Sequence, residues 1–214
     1  ILISLSTLLL IFSLIILYWV HNQYHLDIAL EPTELPQDLD ETPLISVCVP
    51  ARNEARNIRR CVESLLAQDY PNFEIIVLDD RSTDATPQIL DELSKRDARL
   101  KIIAGSELDP GWAGKPHALT QASAAARGEW LCFVDADTFP APGTLRAVHA
   151  KAVETNADFF SIFTHQEMES FWERAVLPLV LTALSVGFSP RKVNDPESDV
   201  AIANGQFIFI KRRV

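Results

Sequence analysis

Leu131-Cys132-Phe133-Val134-Asp135-Ala136-Asp137 is the stretch that decides the fold. An apolar run without polar interruption ends in a turn carrying a pair of carboxylates. Such a run, short and bounded by turn residues, reads as a strand covered on both faces. The same grammar recurs upstream. Ile75-Ile76-Val77-Leu78 runs into Asp79-Asp80, and Leu44 to Val49 runs into Pro50-Ala51-Arg52-Asn53-Glu54. Helical periodicity fills the intervals. Residues 55–68 place Ile58, Val62, Leu65 and Leu66 on one face, and 86–96 place Ile89, Leu90 and Leu93 on one face. Asp84 is expected to cap the second of these helices, with Pro87 tolerated in its first turn. Further outward come a strand at 101–104, an Ala-rich helix over 116–127 stopped by Gly128, the strand 130–134, a helix over 142–154 and a strand over 158–163. Strands alternating with helices predict an α/β domain, a mainly parallel sheet flanked by helices.

In an open sheet of this kind ligands bind beyond the carboxyl ends of the strands. That rule collects Asp79, Asp80, Asp135 and Asp137 on one edge, with Glu54 beside them. Carboxylates so gathered repel one another unless a cation intervenes, which is a physical argument for a metal. Asp135-Ala136-Asp137 suits a hard divalent ion, because Mg²⁺ or Mn²⁺ takes one or two carboxylates together with substrate phosphates. A solvated Asp-rich turn is the plainer reading of either acidic strand end taken alone. Gly111-Trp112-Ala113-Gly114-Lys115-Pro116-His117 is a glycine-bearing loop entering a helix, where backbone N–H groups favour anions. It is not a P-loop, since GxxxxGK[ST] is not matched. His117 reads as a packed residue rather than a catalyst.

The 214 residues carry 19 basic and 29 acidic side chains, a net charge of −10. That excludes the basic surface a nucleic-acid partner requires. An anionic small ligand stays compatible, because a bound cation can supply positive charge. Cys48, Cys61 and Cys132 fall in apolar runs with no metal-ligand spacing and read as buried thiols.

Residues 1–20 carry no charge and are almost wholly apolar, a length that can cross a hydrocarbon core of roughly 30 Å. The expectation is a single transmembrane helix, with the catalytic domain on the cytoplasmic side; a cleaved signal peptide is the alternative. Residues 21–43, acidic and dotted with Pro32, Pro36 and Pro43, read as a linker. Residues 44–214 then form the main domain. Residues 167–187 begin polar and turn apolar from Ala175 to Phe188. A helix lying in a membrane interface and a long core helix both fit. Residues 189–199 read as a loop. The chain lacks an initial Met and stops at Val214 just after an apolar run, so it reads as truncated at its C-terminus.

Four motifs, in order, carry a resemblance: Val49-Pro50-Ala51-Arg52-Asn53-Glu54; Leu78-Asp79-Asp80-Arg81-Ser82-Thr83-Asp84-Ala85-Thr86; Gly114-Lys115-Pro116-His117-Ala118-Leu119; and Val134-Asp135-Ala136-Asp137. Together they resemble family 2 glycosyltransferases with the GT-A fold, over roughly residues 44–165. The Gly111 to Pro116 loop and Ala203-Asn204-Gly205-Gln206-Phe207 look closest to members acting on lipids, such as the hopanoid-associated, carotenoid and ceramide glucosyltransferase-like types. The resemblance implies a nucleotide-diphosphate sugar donor, with Pro50, Ala51 and Glu54 lining the nucleoside pocket. It implies Asp80, with Asp79 beside it, at the base and Lys115 near base and phosphates. It further implies Asp135 and Asp137 at the ribose and at a Mg²⁺ or Mn²⁺ ion on the diphosphate. Inversion by single displacement and a lipid or isoprenoid-type acceptor follow as expectations. The family's general base, normally an Asp in a Glu-Asp pair, would fall beyond Val214. Two other readings compete: a nucleotidyltransferase, and a non-catalytic, membrane-tethered nucleotide-sugar-binding module.

Overall fold

The structure is a computed structural model that describes residues 4–24, 30, 42–188, 190–195 and 197–213. Most of the expected linker lies outside the described residues. The chain divides into two compact units, residues 1–29 with 165–202, and residues 30–164 with 203–214.

The second unit contains the sheet. Its elements are β1 (Ile45–Ala51), α2 (Ile58–Leu66), β2 (Phe73–Asp79), α3 (Thr86–Ser94), β3 (Leu100–Ala104), α4 (Gly114–Ala125), β4 (Trp130–Val134), α5 (Thr144–Thr155), β5 (Phe159–Ser161) and β6 (Phe207–Lys211); α1 (Leu5–Tyr24) precedes them in the chain. The sheet order is β3-β2-β1-β4-β6-β5. β3, β2, β1 and β4 are parallel, and β6 runs antiparallel to both β4 and β5. The mainly parallel sheet is therefore present, with an antiparallel strand inserted on one side.

Side-chain alternation distributes the core. Ile45, Val47 and Val49 of β1 and Ile75 and Val77 of β2 meet Ile58, Val62 and Leu65 of α2, Leu90 of α3 and Leu145 of α5 on one face. Cys48, Ile76, Leu78 and Leu131 face the other way, onto Ala118 and Ala122 of α4. Alanine on that helix lets its backbone approach the sheet closely. All three cysteines are buried and free. Burial pushes the thiols of Cys48 and Cys61 up to about 12, so they behave as small apolar side chains.

At the amino ends of the strands a buried polar cluster closes the sheet. Glu74 accepts from Ser46 Oγ at 2.8 Å, Lys101 Nζ at 2.6 Å and the Arg127 backbone N–H at 2.9 Å. Burial raises this carboxyl, but the hydrogen bonds outweigh burial and hold it at about 2. Gly128 donates to Ser46 Oγ, and a Cβ there would lie 2.6 Å from the Leu44 carbonyl oxygen. Gly128 therefore serves a close backbone approach. α4 has already ended at Ala125, so the expected role as a helix stop is set aside.

The first unit contains α1, α6 (Phe171–Gly187) and the short α7 (Pro190–Val193), which falls within the stretch expected to be a loop. The expected single membrane pass, and the placement built on it, are corrected. No helix among the described residues is long and apolar enough to cross a membrane. α1 ends in the polar His21-Asn22-Gln23-Tyr24. Its uncharged stretch before that end, Leu5 to Val20, covers only about 24 Å at the helical rise of 1.5 Å per residue, against the roughly 30 Å required. α6 begins with a capping box in which Glu173 N donates to Ser170 Oγ and Ser170 N donates to Glu173 Oε2. This device satisfies amide donors that a helix start leaves open. The helix continues through Pro178. Phe171, Trp172 and Leu179 are each at least 70% exposed, so this helix is not part of the core formed by the described residues.

Candidate functional site

The carboxyl ends of β1, β2 and β4 come together, as the register of the three parallel strands requires. The loops after β1 and β2 are laced to each other. Asn53 N donates to Ser82 Oγ at 2.9 Å and Thr83 N to Asn53 Oδ1 at 2.8 Å. Glu54 N donates to Thr86 Oγ1 at 2.8 Å and Ala55 N to Asp84 Oδ2 at 3.0 Å. Asn53 turns at φ 57 and Arg81 at φ 58, a left-handed region that Asn tolerates through local hydrogen bonding. Asp84 is thus a staple between loops. Its second oxygen accepts from Thr86 N, while the N-cap of α3 is Ala85, which makes no side-chain cap bond. The expectation of a helix cap is corrected, because the carboxylate sits one residue too early and is shared with Ala55.

These loops and the start of α4 enclose a cavity of ≈ 320 Å³. Pro50, Ala51 and Glu54 line it from β1, and Asp80 from β2. Lys115 lines it from α4, and Asp135 and Asp137 from the end of β4. Asp79 does not line it. Its carboxylate accepts from Ser82 N at 3.1 Å and its carbonyl from Gly105 N at 2.8 Å, so it shapes the turn beneath Asp80. Arg52, Gly114, Ala118 and Ala136 also line the cavity and were not singled out as site residues from the sequence. Arg52 and Gly114 stand inside two of the quoted motifs, where a charge and a glycine beside the acids were available signals.

Positive charge meets most of the acids. Buried Asp80 is flanked by Arg52 Nη1 at 3.4 Å and Arg81 Nε at 2.9 Å. Asp135 Oδ1 lies 2.6 Å from Lys115 Nζ. The converging carboxylates therefore need a metal less than their sequence alone suggests, because three side-chain cations already offset the repulsion. Asp137 differs. It is exposed and makes no hydrogen bond or ion pair with another described residue. Among the described residues no group of three or more His, Cys, Asp or Glu side chains is arranged to hold an ion. A protein-only cage is absent there, and the donor set is a carboxylate pair.

His117 is buried at the start of α4. Its Nδ1 lies 3.1 Å from Gln121 Nε2 and its Nε2 lies 3.4 Å from Asp109. It is a packed residue, as its context suggested. The Ala203 to Gln206 segment reaches the site from the other side. Asp135 N donates to the Gln206 carbonyl at 3.1 Å, and a Cβ on Gly205 would lie 3.7 Å from Lys115 Nζ.

A family model described as glycosyl transferase family 2 matches residues 46–214. The chain belongs to that family. Its similarity to beta-monoglucosyldiacylglycerol synthase of Nostoc sp. is 39% identity over 97 residues, 44% of this chain and 20% of that protein. Glycosyltransferase GlyG of Streptococcus pneumoniae is 32% identical over 115 residues, 54% of this chain and 37% of that protein. The chain thus spans well under half the length of these curated relatives. Among solved structures, the mannosyltransferase PcManGT from Pyrobaculum calidifontis, in complex with GDP-Man and Mn2+, superposes with a TM-score of 0.61 at 25% identity. That match covers 94% of this chain and 53% of the mannosyltransferase. The sheet and its helices are accordingly GT-A-like. Family membership removes the nucleotidyltransferase alternative.

Proposed function

We propose that this chain carries the donor-binding half of an inverting, metal-dependent glycosyltransferase. The observation that supports this reading best is the cavity at the carboxyl end of the parallel strands, to which β2 delivers Asp80 and β4 delivers Asp135 and Asp137, with Lys115 at a helix start and Asp137 unpaired among the described residues. A nucleotide-diphosphate sugar fits the chemistry of that cavity. Apolar Pro50 and Ala51 offer a surface to the nucleoside, while Asp80, held rigid by two arginines, accepts hydrogen bonds from the base. Lys115 and the first N–H groups of α4 suit the diphosphate.

Asp135 and Asp137 fit a Mg²⁺ or Mn²⁺ ion. They are hard oxygen donors, and one is unpaired. A site with two protein carboxylates leaves coordination positions for phosphate oxygens and water, as these ions prefer. When bound, the ion would stabilise charge on the departing nucleoside diphosphate. The structure of the mannosyltransferase in complex with GDP-Man and Mn2+ supports this reading. A lipid-type acceptor draws support from the likeness to a protein named beta-monoglucosyldiacylglycerol synthase, and from the apolar side chains exposed along α6.

Calorimetric titration of the chain with UDP and with GDP, each with Mn²⁺ and with a chelator, tests the reading. Micromolar binding of one nucleotide that disappears on chelation is expected. Equal affinity with and without the ion removes the metal role, and no binding of either nucleotide removes the donor site.

A further inference from the structure

The Lys115–Asp135 contact has a consequence for how the site fills. Lys115 is in the first turn of α4 and Asp135 directly follows β4, so backbone structure fixes both attachment points. The ammonium lies 2.6 Å from Asp135 Oδ1, with about half of the lysine side chain and about a quarter of the aspartate exposed. The Asp135 backbone is held by the Gln206 carbonyl, and Gly205 leaves space beside the lysine nitrogen. The aspartate is therefore the fixed partner, and the flexible four-carbon lysine is the one able to leave. Asp137, the other acid of the pair, has no competing cation among the described residues.

We propose that Lys115 is a resident counter-ion that competes with the divalent cation for Asp135, and that the donor diphosphate lifts this competition by giving the ammonium a new partner. The proposal rests on the assignment of Asp135 and Asp137 to a metal. A cation arriving alone must displace the ammonium or share the carboxylate with it, and like charges at such range repel. A diphosphate arriving with the cation draws the ammonium onto its own oxygens and frees Asp135. Metal and nucleotide then bind cooperatively, and by linkage each raises the affinity of the other by the same factor. Lys115 is a positioning residue in this scheme. It keeps the empty site electrically balanced and biases the site against metal without donor.

The test reads binding rather than turnover. Free Mn²⁺ is followed by electron paramagnetic resonance during titration of the whole chain, with and without a saturating nucleoside diphosphate (UDP and GDP in turn). Lys115→Met removes the charge at similar volume. It is expected to bind Mn²⁺ alone about 3- to 10-fold more tightly than wild type at low salt, a range suited to a partly exposed ion pair. It should also bind the nucleotide more weakly in the presence of Mn²⁺, so the coupling factor shrinks from both sides. Lys115→Arg, which keeps the counter-charge, should bind Mn²⁺ alone no more tightly than wild type. It guards against misreading a folding defect, with circular dichroism as the check on both variants. Mn²⁺ bound alone with equal or lower affinity by Lys115→Met overturns the competition and leaves the metal site standing. No Mn²⁺ bound by wild type or variants, with either nucleotide or without, overturns the metal assignment and the competition with it.

Discussion

The two edges of one sheet use the same ingredients to opposite ends. At the amino edge Glu74 is 3% exposed, and its oxygens are taken up by Ser46, Lys101 and Arg127. At the carboxyl edge Asp135 has one lysine, and Asp137 has no partner among the described residues and faces a cavity. Both edges place acids next to bases at strand ends. The amino edge is closed and satisfied, so its charges hold the fold. The carboxyl edge is open and under-satisfied, so its charges remain available to a ligand. Burial with a full set of hydrogen bonds marks a structural carboxylate, and a cavity with a free lone pair marks a site.

Removing Glu74 should have the largest effect. A carboxyl held at about 2 against a usual value near 4.5 corresponds to about 3 kcal/mol of stability at neutral pH. Glu74→Ala should lose about that much in urea denaturation, while the remaining folded protein keeps its nucleotide affinity. The pH dependence has a definite sign. The folded-state value is depressed, so the contribution is complete above about 4.5 and is lost as pH falls towards about 2. Wild type should lose stability relative to Glu74→Ala across that window. Parallel acid titrations of the two proteins would break the comparison.

The glycines sharpen it. A Cβ on Gly128, at the closed edge, would sit 2.6 Å from the Leu44 carbonyl oxygen and 2.7 Å from Ser46 N, both backbone atoms. Gly128→Ala should cost about 2 kcal/mol, within the usual range for overpacking. A Cβ on Gly114, at the open edge, would meet only Asp80 Oδ2 at 3.8 Å, an ordinary contact. Gly114→Ala should change stability by less than about 0.5 kcal/mol. A thermal-denaturation pair that reversed this order would show the carboxyl edge to be the tighter one.

Asp137→Asn should leave the unfolding midpoint unchanged, since the side chain is exposed and unpaired among the described residues, and should weaken Mn²⁺-dependent nucleotide binding about 10-fold or more, as expected for loss of an interaction with a charged group of about 1.5–3 kcal/mol. Calorimetry at fixed Mn²⁺ decides it. A loss of stability without loss of binding would place Asp137 with Glu74 among the structural acids.

The carboxyl edge was legible in the sequence and the amino edge was not. Strand ends carrying Asp79-Asp80 and Asp135-Ala136-Asp137 announce their edge, because the rule that ligands gather beyond strand carboxyl ends needs only the strands' order of polarity. The cavity accordingly contains Pro50, Ala51, Glu54, Asp80, Lys115, Asp135 and Asp137. Glu74 meets partners 27, 28 and 53 residues away, a convergence that no local pattern encodes. The insertion of β6 between β4 and β5 was invisible for a related reason. Phe207-Ile208-Phe209-Ile210 reads as a buried strand in either direction, and its orientation is set by pairing such as Trp130 opposite Lys211. Adjacent acids look equivalent in sequence, but Asp79 ends β2 and accepts from Ser82 N in the turn, while Asp80, one residue beyond the strand, lines the cavity. The N-terminal run misled because residues 1–20 were counted as one apolar span, whereas the described helix starts only at Leu5 and its last turn is the polar His21-Asn22-Gln23-Tyr24.

Asp84 gives the smallest and most discriminating prediction. Its two oxygens accept one amide each, from Thr86 within its own loop and from Ala55 across the gap. A hydrogen bond with the Thr86 side chain first of all, and then these amide bonds, hold its carboxyl below the ordinary aspartate value. An asparagine keeps one acceptor oxygen and presents an NH₂ to the other amide, setting donor against donor. One bond is lost and the other survives. Other cross-loop bonds, made by Asn53 with Ser82 and Thr83 and by Glu54 with Thr86, still lace the two loops together. Asp84→Asn should therefore weaken nucleotide binding only about 2- to 3-fold, the effect of a single neutral hydrogen bond, by loosening the register between the Pro50–Glu54 wall and Asp80. The effect should be the same at limiting and at saturating Mn²⁺, because Asp84 does not line the cavity. Asp137→Asn, in contrast, should act only through the ion. A loss at Asp84→Asn that depends on Mn²⁺ would mean that the second acidic strand end takes part in holding the metal. No loss at all would mean that the loops keep their register without the staple, and that Asp84 serves α3 alone.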